Sequence, residues 1–229
     1  MESLYGMAYR LRCPMPMNEI ERMVWEMNRW RQFSLRFGFP PIWWVDILLI
    51  DTAFREIIEI YQIDISIWRF HRRAAQDESG HQISLLLYTN DGCFTAVKDA
   101  LQNHWSVKIL QREGFLKEFL PQEELGAEIE ATSDRNWPSP LQRAWPFYIM
   151  GSCVMFLSLI RELTDTSFIP SEKSEIDELR KHYEEINDRL RAVWQSQGSH
   201  AFFHHLNAVF GYEPLVAQPR QIAGFLASF

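Results

Sequence analysis

The 229-residue chain holds only three cysteines, Cys13, Cys93 and Cys153, spaced 80 and 60 residues apart with no Cys-x-x-Cys. That pattern excludes a disulfide framework and a zinc ribbon. Positive charge is not in excess either: 23 Lys and Arg face 30 Asp and Glu, a net charge of −7. Counterion release needs a basic surface, so neither nucleic acid nor an anionic membrane is expected as a partner. Gly-x-Gly-x-x-Gly, a Walker loop and Gly-x-Ser-x-Gly are absent, which argues against nucleotide binding and serine-hydrolase chemistry. Met1-Glu2-Ser3-Leu4-Tyr5-Gly6 opens no apolar stretch of signal-peptide length, and a reduced, cytoplasmic protein is the expectation. The uncharged run Ala144 to Ile160 has 17 residues and contains Pro146, Gly151 and Ser152. A bilayer span needs about 20, so this run is expected to be a buried core helix.

What is present is an apolar share of 47%, enough to bury a sizeable core. No internal repeat or low-complexity stretch interrupts it. One composite α+β domain over 1–229 is expected, with a helical part (1–62), a sheet part (63–120) and a second helical part (138–212). Asn18 is placed to cap a helix whose stripe runs Ile20, Met23, Val24, Met27 and Trp30, until Gly38 and Pro40-Pro41 stop it. Ile42 to Tyr61 is apolar on nearly every side and reads as a second helix, with a buried strand near 43–50 as the alternative.

The period then changes to two. Ile63, Ile65, Ile67, Arg69 and His71 alternate with their neighbours, and Gln82 to Tyr88 follows a Gly-containing turn. This predicts an antiparallel hairpin. A helix from Phe94 to His104 and one or two strands drawn from Val107–Leu110 and Gly114–Leu116 complete a β-β-α-β core, a small antiparallel sheet flanked by helices. Pro138-Ser139-Pro140 introduces the helix from Leu141 to Leu163. After Ser174, the residues Ile176, Leu179, Tyr183, Ile186, Leu190 and Val193 form an a/d seam that packs on a neighbouring helix or, in a homodimer, on its copy.

Three clusters could carry chemistry. Arg69, His71 and Arg73 share one strand face, with Arg72 on the other and His81 beyond the turn. Guanidinium and imidazole donors of this kind hold a carboxylate or phosphate, and imidazole moves protons near neutral pH. The plain alternative is a solvated strand end paired with Asp77 or Glu78. His200, His204 and Asn207 fall on one helical face, and His200-x-x-x-His204 has metal-ligand spacing. Ala201 stands where helical zinc peptidases carry Glu, and no acidic partner helix is evident, so no metal is expected in the leading reading. Trp137, Arg143, Trp145 and Tyr148 surround a proline-fixed loop that would shape a substrate mouth or peptide groove, or simply belong to the core.

The order of these elements, with Ile67-Trp68-Arg69-Phe70-His71-Arg72, the Gly80-His81 turn and the late His204-His205-Leu206-Asn207, resembles the C-terminal domain of lantibiotic dehydratases. That domain is also found as the stand-alone thiopeptide-type biosynthesis proteins, and the resemblance spans Ile63 to Tyr212. It implies action on a leader-bearing peptide by elimination or ring formation, without a cofactor. Arg69 and His81 match the family's strand arginine and Gly-Pro-His turn, and His204 and Asn207 its terminal pair. The turn proline is missing, and Gln82, Ile83 and Ser84 replace the alternating arginines of the second strand.

The leading expectation is therefore a biosynthetic enzyme of peptide-derived natural products, lyase-like or ring-forming. Arg69 would bind a carboxylate and His81 or His204 would shuttle a proton, with His71, Arg73, Trp137, Arg143, Trp145, Tyr148, His200 and Asn207 contacting the substrate. The alternatives are a non-catalytic partner for a peptide or companion enzyme, and a metal- or haem-dependent enzyme using His200 and His204.

Overall fold

The computed structural model describes residues 27–73, 80–165 and 167–212. Its first element is a strand, β1 (Arg29–Phe37). Phe33, Leu35 and Phe37 are buried, and they alternate with Gln32, Ser34 and Arg36, the two-residue period of a strand. The expected N-terminal helix is thereby corrected at its end. A spacing of three reaches Trp30 from Met27 only by coincidence, while Ile20, Met23 and Val24 lie outside the described residues.

The expected second helix is found as α1 (Trp43–Leu49), a π-helical turn (Ile50–Phe54) and α2 (Arg55–Ile60) in unbroken succession. β2 (Ile67–Arg73) and β3 (Gln82–Thr89) form the expected antiparallel pair. The turn residues 74–79 lie outside the described residues. Asn90 accepts the Cys93 N–H at 2.9 Å and so caps α3 (Asp91–Asn103). His104 caps the next helix, α4 (Trp105–Arg112), which buries Ser106, Val107, Ile109 and Leu110. This corrects the strand expected at Val107–Leu110. A four-residue apolar run does not separate strand from buried helix, and the cap decides it. Gly114, at φ +74°, turns the chain into β4 (Leu116–Gly126).

The four strands pair antiparallel in the order β2-β3-β1-β4. The fold is α+β. β3 lies between β1 and β2, and β1 between β3 and β4, so both crossovers skip a strand; this is the split β-α-β-β-α-β topology of ferredoxin-like sheets. Phe33 stacks on Phe94 of α3 at 5.1 Å, and Trp43 of α1 meets His81 edge-on at 5.0 Å. Both crossovers therefore cover the face formed by Phe33, Leu35, Phe37, Ile83 and Leu85.

Two long helices add a further layer. α5 (Ser139–Leu163) lies along edge strand β2, where Cys153 Sγ donates to the Phe70 carbonyl at 3.6 Å and Phe156 meets Phe70 edge-on. Its buried residues, Pro146, Met150, Cys153, Leu157 and Ile160, recur at four and three. The expectation of a buried core helix is corrected to a helix with one buried face. The helix is long and apolar enough to cross a membrane by length and composition, with 28% of its most apolar stretch buried. α6 (Ile176–Gln197) buries Leu179, His182, Tyr183, Ile186 and Leu190 and packs on α1, so the predicted seam is used within the chain. Tyr183 Oη donates to Asp51 Oδ2 at 2.8 Å inside the π-helical turn. A second π-helical turn (Gly198–His204) and α7 (His205–Val209) follow.

Phe33 sits at the centre of the central strand, fully buried. Phe33→Ala should cost about 3–5 kcal/mol in urea unfolding, against less than about 0.5 kcal/mol for exposed Phe203→Ala. Equal effects would place the core elsewhere.

Candidate anion-binding face of the sheet

Residues opposite one another in antiparallel strands project to the same face. On the face opposite the crossover helices the register aligns three rows. Arg73, Gln82, Arg36 and Glu118 form one; His71, Ser84, Ser34 and Leu120 the next; Arg69, Leu86, Gln32 and Gln122 the third. The middle of this face is polar and tied together. Ser34 and Ser84 hydroxyls are 3.0 Å apart, Gln82 Nε2 donates to both at 3.1 and 2.9 Å, and Gln32 Nε2 donates to Ser34 Oγ at 2.7 Å. Arg36 closes the network, donating to Gln82 Oε1 at 3.1 Å and pairing with Glu118 at 2.9 Å.

Arg69, His71 and Arg73 stand together at the β2 edge of that network, as their alternation predicts. Arg69 Nη2 donates to the Thr132 carbonyl at 3.0 Å, while its Nε and the nearby Thr132 Oγ1 are buried with no hydrogen-bond partner among the described residues. No carboxylate pairs with Arg69 among the described residues. Burial is the largest cause, and it pulls its pKa down from the usual guanidinium range. Burial of the Cys153 thiol in turn pushes its own pKa up to about 11, so it stays protonated at neutral pH. His71 is held below the ordinary histidine value by desolvation first, then by the positive charges of Arg69 and Arg73. Every named cause works against a charged imidazole. The edge thus sets an imidazole that is disfavoured from charging between two guanidinium groups.

Arg72, one residue out of phase, does the opposite. Its Nε donates to Asp46 Oδ2 at 2.8 Å, and its guanidinium lies 5.1 Å over the Trp43 ring. Asp46 is fully buried, and His81, also fully buried, places Nε2 2.9 Å from Asp46 Oδ1, though out of line for a hydrogen bond. His81 Nδ1 accepts the Ile42 N–H at 3.2 Å, which leaves the ring proton on Nε2, facing the carboxylate. His81 is therefore on the helix side of the sheet, against Phe37 and Trp43. The structure does not bring it to Arg69.

His204 lies elsewhere again, at the end of α6, with ring centroids 5.3 Å from His200 and 5.4 Å from His205. Asn207 belongs to the same turn, where its carbonyl accepts the Tyr212 N–H at 2.9 Å. Trp137, Trp145 and Tyr148 form a chain of rings, 4.8 and 5.3 Å between centroids, at the start of α5. Arg143 donates to Ser139 Oγ on that helix. Hydrogen bonds link the loop that Arg69 contacts to this end of α5: Ser133 Oγ donates to the Gln142 carbonyl at 2.7 Å, and Gln142 Nε2 to the Trp137 carbonyl at 2.6 Å.

The proposed trio Arg69, His81 and His204 is thus dispersed over three places. Sequence reasoning missed Asp46, Arg36 and the Gln82–Ser84–Ser34 network. The signal for the last was present as polar residues at 32, 34 and 36 and at 82 and 84, each two apart.

His71, His104 and His182 all lie below the ordinary value, with desolvation the largest cause for each. Their neutral forms are favoured by folding, so the unfolded chain takes up protons first as pH falls. Stability from these groups is complete above the unfolded value of about 6.5 and is lost as pH falls below it towards the folded values. The urea midpoint should be lower at about pH 5.5 than at about pH 7.5, before carboxylates titrate. A rising midpoint would contradict these assignments.

Among known proteins, no family model, curated sequence or solved structure matches this chain.

Proposed function

We propose that the chain is a binding module for a carboxylate-bearing peptide, held at the β2 edge by Arg69 with His71 and Arg73 beside it. The observation that carries this reading is Arg69 itself. A half-buried guanidinium is normally compensated by a carboxylate, because desolvating an unpaired charge is costly. Arg69 has a neutral carbonyl instead, and its Nε is left over. An incoming carboxylate supplies the missing acceptor, and its charge offsets that of the Arg69 guanidinium. The rings of Trp137, Trp145 and Tyr148, joined to Arg69 through Thr132, Ser133 and Gln142, offer apolar surface for the rest of an extended peptide.

The reading favours a binding partner over an enzyme, because Arg69, His81 and His204 do not share a site. The resemblance to proteins that act on leader-bearing peptides points to the same class of ligand.

Isothermal titration with hexaglutamate and hexaglutamine peptides tests the proposal. Hexaglutamate should bind, hexaglutamine should not, and Arg69→Met should weaken hexaglutamate by about tenfold or more, the range of a charge-assisted hydrogen bond. Equal affinity of both peptides, or of Arg69→Met and the parent, would overturn it.

A further inference from the structure

All seven histidines are among the described residues, and three of them gather at one exposed place. His200 and His204 lie in the π-helical turn Gly198–His204, and His205 begins α7. In a regular α-helix, residue i+5 lies about 140° round from residue i, on another face. The wider i→i+5 turn returns both i+4 and i+5 towards i. The irregularity is what assembles the cluster.

The ring centroids form a nearly equilateral triangle, 5.3 Å from His200 to His204, 5.4 Å from His200 to His205 and 5.4 Å from His204 to His205. Three imidazoles on one tetrahedral ion, at metal–nitrogen distances of about 2.0–2.1 Å, put their centroids about 3.2 Å from the ion and about 5.2 Å from each other. The separations already match. The orientations do not: the His200 and His204 rings are nearly parallel, at 13°, and among the described residues no group of three or more His, Cys, Asp or Glu side chains is placed to hold a metal ion as it stands. Rotation about Cβ–Cγ turns an imidazole almost about its own centroid, so the planes can turn inward while the separations are kept. That torsion is broad for histidine, and all three side chains are exposed.

We propose that His200, His204 and His205 form a surface site for one divalent transition-metal ion of the imidazole-preferring kind, nickel, copper or zinc. The site is independent of the peptide-binding face. Three nitrogens leave at least one coordination position for water.

Titration of the untagged full chain with Ni²⁺ or Zn²⁺ at about pH 7.5 should give one ion per chain. Losing a hydrogen-bond partner behind a ligand already costs about tenfold or more in affinity. Each of His200→Ala, His204→Ala and His205→Ala should therefore weaken binding by at least that factor, and His71→Ala should not. Because the side chains are exposed, circular dichroism of the variants should match the parent. Electron paramagnetic resonance of the Cu²⁺-loaded parent should independently show three coordinated nitrogens. A His205→Ala variant that binds like the parent would leave only a two-histidine pair and overturn the proposal. So would retention of the site in the triple variant, or a copper spectrum with fewer than three nitrogens.

Discussion

The two-residue pleat of β2 places three arginines and a histidine, and the rest of the structure is arranged around where it sends them. Arg72 points to the helix side and is held by Asp46, while Arg69, His71 and Arg73 point to the other. A slip of one residue would exchange the sets, placing Arg69, His71 and Arg73 in the core and leaving Asp46 unpaired. Removing one partner of a buried pair costs about 3–5 kcal/mol, because the remaining charge stays uncompensated. The Asp46–Arg72 contact therefore does less to add net stability than to forbid the wrong register.

The same ion pair joins layers. Asp46 lies on α1, Arg72 on β2, and His81 immediately before β3, so the first crossover helix, the edge strand and its neighbour meet at one carboxylate. Five residues further along, Asp51 accepts from Tyr183 and lies 3.3 Å from Arg55, which ties α6 onto the same helix. Burial and the Asp51 carboxylate both raise the Tyr183 pKa, so its hydroxyl remains a donor. Two acids of one helix thus fix its two neighbours: Asp46 the sheet, Asp51 the outer helical layer. Arg69, with no carboxylate partner among the described residues, is on the opposite face of the sheet, and this division is why we propose binding there.

Much of this was legible from periodicity. The hairpin, α3 and the seam of α6 follow from apolar residues spaced at two, or at three and four. The shared face of Arg69, His71 and Arg73 follows from the same rule. β1 was obscured because the stripe from Ile20 to Met27 extends at helical spacing onto its first residues. α4 was obscured because Val107 and Ile109 favour strands, a preference that a cap and tertiary packing override. His81 illustrates a different limit. Nearness to a charged strand in sequence does not say which side of the sheet the residue before the next strand will occupy, and here Phe37 and Trp43 claim its ring. The histidine cluster depended on a π-helical turn, for which the sequence carries no periodic signal.

The account stands on Arg69 being a cation in want of an acid. The most direct measurement is the Arg69 Nε–Hε resonance in a ¹⁵N-correlated NMR spectrum, assigned through Arg69→Lys, during addition of hexaglutamate. The buried Nε has no partner among the described residues, so the resonance should shift progressively and saturate together with the resonances of β2. A resonance that stays in place while the peptide binds and shifts signals elsewhere would contradict the account.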